Sequence, residues 1–213
     1  MNCVAVVTAK RFDQAKQRLA GSVDAESRQT LVAAMLADVL EAVAGSRLVR
    51  QMIVVTGEGA AADLARGLGA DVIEDPENYG HSEAALLGVR RAKQLGADCV
   101  VILPGDCPLL DPRELDRLLT GLPNPYVAVV PDRHGTGTNS LVLVPPDVIE
   151  PAFGEGSCER HQKIARDAGV AYGVENIHTL ALDIDTPADI VALTTRLDLK
   201  GDVARNTAKV LGI

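Results

Sequence analysis

Aromatic side chains are nearly missing from this 213-residue chain, which has no tryptophan, two phenylalanines and three tyrosines. Its core must therefore be built from Val, Leu, Ile and Ala, and the length suffices for one packed domain over residues 1–213. Positive charge is short as well: 21 Lys and Arg stand against 29 Asp and Glu, a net charge of −8. That balance argues against nucleic-acid partners and against a membrane surface. An acidic protein that binds anions needs a local basic cluster or a divalent metal. Cys3, Cys99, Cys107 and Cys158 include no CxxC pair, which fits reduced thiols rather than a zinc site or a disulfide framework. No apolar run approaches the roughly 18 residues of a membrane span, and Met1–Thr8 carries no basic leader, so a cytoplasmic protein is expected. The signature GxxxxGKS/T is absent too, which excludes a P-loop.

What the chain does have is a regular alternation of short apolar runs with helical periodicity. Cys3–Val7, Gln51–Thr56, Asp71–Glu74, Cys99–Leu103, Tyr126–Val130, Ser140–Val144, Val170–Val174 and Leu180–Ile184 read as strands. Leu31, Met35, Val39 and Val43 repeat at helical spacing beside Val32, Leu36 and Leu40, in a helix that Asp24 can cap. Further helices are expected near Ala60–Gly67, over His81–Leu95, from Asp111, near Cys158–Ala168, from Thr186-Pro187 to Leu197, and more weakly over Asp202–Leu211. Asp111 would cap its helix, with Pro112 in the first turn and Glu114 closing a capping box. Strands alternating with helices predict an α/β fold with a mostly parallel central sheet and helices on both faces.

In such sheets ligands bind beyond the carboxyl ends of the strands, so the loops there carry the functional candidates. Pro131–Ser140 is the densest. Gly135 and Gly137 allow a tight turn, Thr136 and Thr138 add hydroxyls, Arg133 and His134 add positive charge, and successive amides can form an anion-binding nest. Without a ligand it would be a plain hairpin turn. Thr8–Gly21 sets Lys10, Arg11, Lys16 and Arg18 against Asp13 alone, a basic loop suited to a nucleoside triphosphate or simply to solvent. Asp106 lands just past the strand Cys99–Leu103, where a carboxylate can serve a hard ion such as Mg²⁺ or end a turn. In Leu180–Asp185, strand alternation puts three aliphatic residues on one face and Asp183 and Asp185 on the other. Two like charges so placed repel unless a cation lies between them, although one can instead cap the following helix. Gly154-Glu155-Gly156-Ser157 precedes a helix with Arg160, His161, Lys163 and Arg166, a further anion candidate with Ser157 at the cap. Gly57-Glu58-Gly59 with Ala62 fits the dinucleotide fingerprint GxGxxA, but it follows the second strand and leaves the basic first loop and the aspartates unexplained.

Taken together, these segments resemble the guanylyltransferases that make the phosphodiester precursor of the deazaflavin coenzyme F420, a branch of the nucleotidyltransferases that includes molybdenum-cofactor guanylyltransferase. The resemblance runs from Lys10 to Asp189. Its carriers are Ala15-Lys16 with Arg18-Leu19, Leu103–Leu110, Asp132–Asn139, Phe153-Gly154 with Ser157 and Arg160-His161, and Asp183-Ile184-Asp185-Thr186-Pro187. It implies a Rossmann-like nucleotidyltransferase fold and transfer of GMP from GTP to phosphoenolpyruvate or 2-phospho-L-lactate, with pyrophosphate released. By matching motif, Thr138, Gly154 and Ser157 should hold the phosphorylated acid, and Asp106, Asp183 and Asp185 should hold Mg²⁺. Lys10, Lys16 and Arg18 should meet GTP, with Gly80 and Ser82 beside the base; Lys16, Asp106 and Asp185 would form the catalytic group. Where the family often has Gly-Leu-Asn, this chain has Gly80-His81-Ser82, and a hydroxyl has fewer donors and acceptors than an amide for reading guanine. Cys158 stands where an aromatic residue is usual.

A phosphate monoester has a second pKa of about 6, so the acceptor is mostly dianionic at neutral pH and no catalytic base is required. That suits a chain with four His and no evident nucleophile–base pair. Two rival expectations stand beside this one. The first is a nucleotidyltransferase with another acceptor, such as 3-phosphoglycerate, a sugar phosphate or molybdopterin; the second is a nucleotide-binding module without catalysis. A homodimer is compatible with the sequence.

Overall fold

The strand β1 (Cys3–Ala9) shows how the sequence builds the sheet. Cys3, Ala5 and Val7 face one hydrophobic cluster and Val4 and Val6 face another, so a strand covered on both sides reads as an unbroken apolar run. In the computed structural model, which describes residues 1–75, 77, 80–197 and 203–213, β1 lies parallel between β2 (Val49–Thr56) and β4 (Cys99–Pro104). β3 (Asp71–Glu74) extends this parallel set beyond β2. On the other side β6 (Thr138–Val144) runs antiparallel to β4 and to β5 (Tyr126–Pro131), and β7 (Tyr172–Val174) pairs in parallel with β5. The order across the sheet is β3-β2-β1-β4-β6-β5-β7.

One face is covered by α1 (Ala25–Ala44), α2 (Gly59–Gly67), α4 (Pro112–Leu119) and α6 (Pro187–Leu197), the other by α3 (His81–Gln94) and α5 (Ser157–Asp167). The mostly parallel sheet with helices on both faces is thus present. Asp24 caps α1, its Oδ1 accepting the Ser27 N–H at 2.9 Å. Asp111 caps α4 through the Arg113 N–H at 2.8 Å. The Asp111 N–H donates to Thr179 Oγ1, whose hydroxyl donates to Glu114, so a distant threonine joins the two ends of the predicted box. The short α7 (Arg205–Leu211) is held by Asp38 of α1, which accepts the N–H groups of Asn206 and Thr207 at 2.9 and 2.8 Å. Its expected start at Asp202 lies outside the described residues. All four cysteine thiols are free and buried, and no helix among the described residues is long and apolar enough to cross a membrane.

One expected strand is not formed. Leu180–Ile184 begins in a turn and joins no ladder. Its alternation is nevertheless genuine, with Leu180, Leu182 and Ile184 fully buried. The segment finds its backbone partners elsewhere: Ile184 N–H donates to the Asp106 carbonyl at 3.2 Å, and the Leu180 carbonyl accepts from Asn139 Nδ2 at 2.8 Å. Alternation reports burial on one side; it does not report a neighbouring strand.

α3 approaches β1 closely at Gly88, where a Cβ would lie 2.2 Å from Val6 Cγ1. Gly88→Ala is expected to lower stability by about 1–3 kcal/mol through overpacking, read as a lower denaturant midpoint.

Candidate active site

Winding of the sheet reverses between β1 and β4, where an open α/β sheet leaves a crevice at its strand ends. A cleft of about 260 Å³ opens there. Its walls come from the loop after β1 (Lys10, Phe12, Lys16), the start of α3 (Gly80, His81), the segment after β4 (Gly105, Asp106) and Asp185. Five sequence candidates therefore share one cavity: Lys10, Lys16, Gly80, Asp106 and Asp185. Arg18, Ser82, Thr138, Gly154, Ser157 and Asp183 lie outside its lining.

Lys16 occupies the centre. It adopts a left-handed backbone, φ +53°, at the start of a 3-10 turn, Gln17–Leu19, that the buried Leu19 pins to the core. Its Nζ donates to the carboxylates of Asp106 and Asp185, the latter at 2.6 Å. Burial opposes charge on this amine, but the two carboxylates outweigh it and raise the pKa. For Asp106, burial pushes the carboxyl up and Lys16 more than reverses the effect. Among the described residues no cation does the same for Asp183. Burial, and then the charge of Asp106, raise its pKa, and the Asn139 amide at 3.2 Å compensates only in part. Arg18 is exposed and reaches Asp185 at 3.8 Å. Asp106 Oδ1 is buried with no hydrogen-bond partner among the described residues. Hard oxygen donors, one of them unpartnered, suit a divalent cation. Among the described residues no ready cage of three or more ligands is formed, and the ammonium of Lys16 holds Asp106 and Asp185 instead.

The acid segment is fixed by Asp189. Its Oδ2 accepts the N–H groups of Asp185 and Thr186 at 3.0 and 2.6 Å, and its Oδ1 pairs with Arg133 at 2.6 Å. Arg133 belongs to the glycine–threonine turn between β5 and β6, and Asn139 at the start of β6 holds Asp183, so turn and acid segment are joined twice. The turn is not an anion nest, however. Asp132 Oδ1 takes the N–H groups of His134 and Thr136 at 3.1 and 2.9 Å, and the Asp132 carbonyl takes that of Gly135. A carboxylate of the turn itself fills the place expected for a ligand.

The amino terminus of α5 docks on this turn through the Cys158 N–H, which donates to the Thr136 carbonyl at 3.1 Å. Gly156, φ +68°, is the cap rather than Ser157, which is the first helical residue and fully buried. Arg160 folds back to the carbonyls of Ala152 and Glu155, so it braces the loop. His161 is buried, and burial, then Arg160, lower its pKa to about 4. Its Nε2 accepts the Ala152 N–H at 2.9 Å, so the neutral ring carries its proton on Nδ1, 3.1 Å from Thr138 Oγ1. The hydroxyl oxygen of Thr138 thus accepts from His161, and its own hydrogen is left to donate. Phe153 stands against His161 edge-on and stacks on His81, ring centroids 4.0 Å apart. Ser82 serves this loop too, its Oγ accepting the Phe153 N–H at 2.9 Å. The GxGxxA segment is closed by Glu58, whose carboxylate faces the Ala60 N–H of α2 and accepts the Phe12 N–H at 3.0 Å.

Sequence reading gave no role in the site to Asn139, Asp189, His81 or His161, although Asn139 and His161 lie in its candidate motifs. Asp189 had a local signal too, since Thr186-Pro187-Ala188-Asp189 has capping-box spacing.

The sheet order and the cleft at its switch point are those of a Rossmann-like α/β fold, which solved nucleotidyltransferases share. A nucleotidyl transferase from Methanothermobacter superposes with a TM-score of 0.67 at 21% identity, over 93% of this chain and 98% of that one. The chain belongs to the family described as guanylyl transferase, CofC-like, which matches residues 3–213. Among its relatives is the phosphoenolpyruvate guanylyltransferase of Conexibacter woesei, 42% identical over 99% of this chain and 96% of that protein. The enzyme of the same name from Sphaerobacter thermophilus is 40% identical over 91% and 93% of the two chains. This chain is a guanylyltransferase.

Two outcomes are expected. Asp189→Ala orphans the amides of Asp185 and Thr186 and should lower stability by about 2–3 kcal/mol, measured by chemical denaturation. His161 has a folded pKa near 4 against 6.5 for the ordinary group, so the unfolded chain binds more protons between these values. Its contribution is present above pH 6.5 and lost as the pH falls toward 4. The denaturation midpoint of His161→Gln should therefore fall less between pH 7 and 5 than that of the wild type.

Proposed function

We propose that this guanylyltransferase transfers GMP from GTP to phosphoenolpyruvate, releasing pyrophosphate, as a step in coenzyme F420 biosynthesis in the cytoplasm. The observation that carries the reading is the Lys16 ammonium clasped by Asp106 and Asp185 at the switch point, with Asp106 Oδ1 unpartnered beside it. That both relatives are phosphoenolpyruvate guanylyltransferases supports phosphoenolpyruvate over 2-phospho-L-lactate.

Asp106, Asp183 and Asp185 would hold Mg²⁺, which when bound supplies charge neutralisation and orientation for phosphate oxygens. Lys16, already charged and desolvated, exchanges a carboxylate for the triphosphate when the nucleotide arrives, and Lys10 and Arg18 add charge at the rim. The acceptor lies between Thr138 and the Gly154–Ser157 loop, with the Thr138 hydroxyl donating to it because His161 occupies the oxygen's other side. A phosphate oxygen of the acceptor then attacks the α-phosphorus of GTP, and the bond to the pyrophosphate oxygen breaks. The acceptor phosphate is mostly dianionic at neutral pH, so no residue needs to remove a proton. Preorganised charge is what the site contributes.

Incubation of the protein with GTP, Mg²⁺ and phosphoenolpyruvate should release pyrophosphate and give the guanylated acceptor by mass. Parallel reactions with 2-phospho-L-lactate and 3-phosphoglycerate should be slower; a faster one would replace the acceptor named here. Asp185→Asn should lower turnover roughly a hundredfold or more with the fold retained, and chelation by EDTA should abolish it reversibly.

A further inference from the structure

The surroundings of His81 explain what an imidazole gains at this position. It is the first residue of α3, whose amino terminus has no side-chain cap, and it lines the cleft. One ring face is committed to the stack on Phe153, which leaves the ring edge to present its nitrogens. Nε2 is buried and has no hydrogen-bond partner among the described residues. An unpaired buried nitrogen is a net loss to the fold unless a ligand completes it. The charged groups near it are Lys10 and Asp106, which belong to the end of the cleft where phosphates are expected. The uncapped amides of α3 add partial positive charge on the same side. Ser82, the neighbouring candidate, already accepts the Phe153 amide.

We infer that His81 is a substrate-contacting residue whose Nε2–H donates to a phosphate oxygen of the bound nucleoside triphosphate. A phosphate offers only acceptors, so it selects the tautomer that carries the proton on Nε2. Through the Phe153 stack the same ring orients the loop that carries Gly154, so nucleotide binding and acceptor-loop position meet at one side chain. The inference rests on the reading that this cleft takes GTP, but not on the identity of the acceptor.

The test is direct titration, with Mg²⁺ and without acceptor, of the wild type, His81→Leu and His81→Gln against GTP and against inorganic triphosphate. His81→Leu should weaken both ligands by roughly tenfold or more while leaving Tm unchanged or higher, because it removes an unpartnered polar atom. His81→Gln, with an amide nitrogen close to the position of Nε2, should keep most of the affinity. Wild-type affinity in His81→Leu overturns the inference. So does weaker binding of GTP alone, which would place the contact on base or ribose, and so does equal loss in both variants, which would make the ring only a packing element. Wild-type protein that binds GTP yet fails to use phosphoenolpyruvate refutes the acceptor and leaves the His81 result standing. Failure to bind GTP at all removes both.

Discussion

Everything at this site depends on one buried ammonium between two carboxylates. Asp106 follows a core strand and Asp185 follows a segment whose Leu180, Leu182 and Ile184 are buried in the same core, so the fold brings like charges together in an already acidic protein. Lys16 turns that repulsion into a compensated triad, and its left-handed backbone and the buried Leu19 behind it are what keep it there. Lys16 and Asp106 are the more buried members, their side chains 7% and 28% exposed against 41% for Asp185, so loss of Lys16 would leave Asp106 uncompensated. Asp183, which Lys16 does not reach, shows the alternative: its carboxyl is pushed toward the protonated form.

The elements with strong periodicity were legible from the chain alone, because the forces that form them are local. The two faces of β1 and the stripe of α1 follow from residue spacing, and Asp106 could be placed because it follows a strand with a clear end. The segment around Asp183 was misjudged for an instructive reason. Leu180, Leu182 and Ile184 alternate like a strand, but their partner is the interior rather than a ladder. The glycine–threonine turn was misjudged because Asp132 supplies its own anion, a competition that composition does not reveal. Arg133 with Asp189, Asn139 with Asp183 and Thr138 with His161 join distant stretches of chain, and nothing in either partner's neighbourhood announces the other.

The scarcity of rings acquires a meaning in three dimensions. Both phenylalanines are at the site: Phe12 in the wall of the cleft and Phe153 between two histidines. An aliphatic core of Val, Leu, Ile and Ala needs no rings to fill it, and Phe153 is placed instead where stacking fixes the angle of its neighbours. Phe153 does this for His81 and His161 together, one face-on and the other edge-on.

The double tether between the turn and the acid segment has a consequence for how such an enzyme can diversify. Arg133 and Asn139 bind the β5–β6 side of the pocket to the residues that gather negative charge, so any remodelling there disturbs the reaction centre as well. Among the described residues, no hydrogen bond or ion pair ties the loop before α5 to these carboxylates. With Gly154 and Gly156 at positive φ, it is held by Arg160 and, at Phe153, by Ser82 and His81, so a change in its shape is felt at the start of α3 rather than at Asp183 or Asp185. New acceptor preferences in descendants of this scaffold are therefore to be sought in that loop, with the hairpin inherited unchanged.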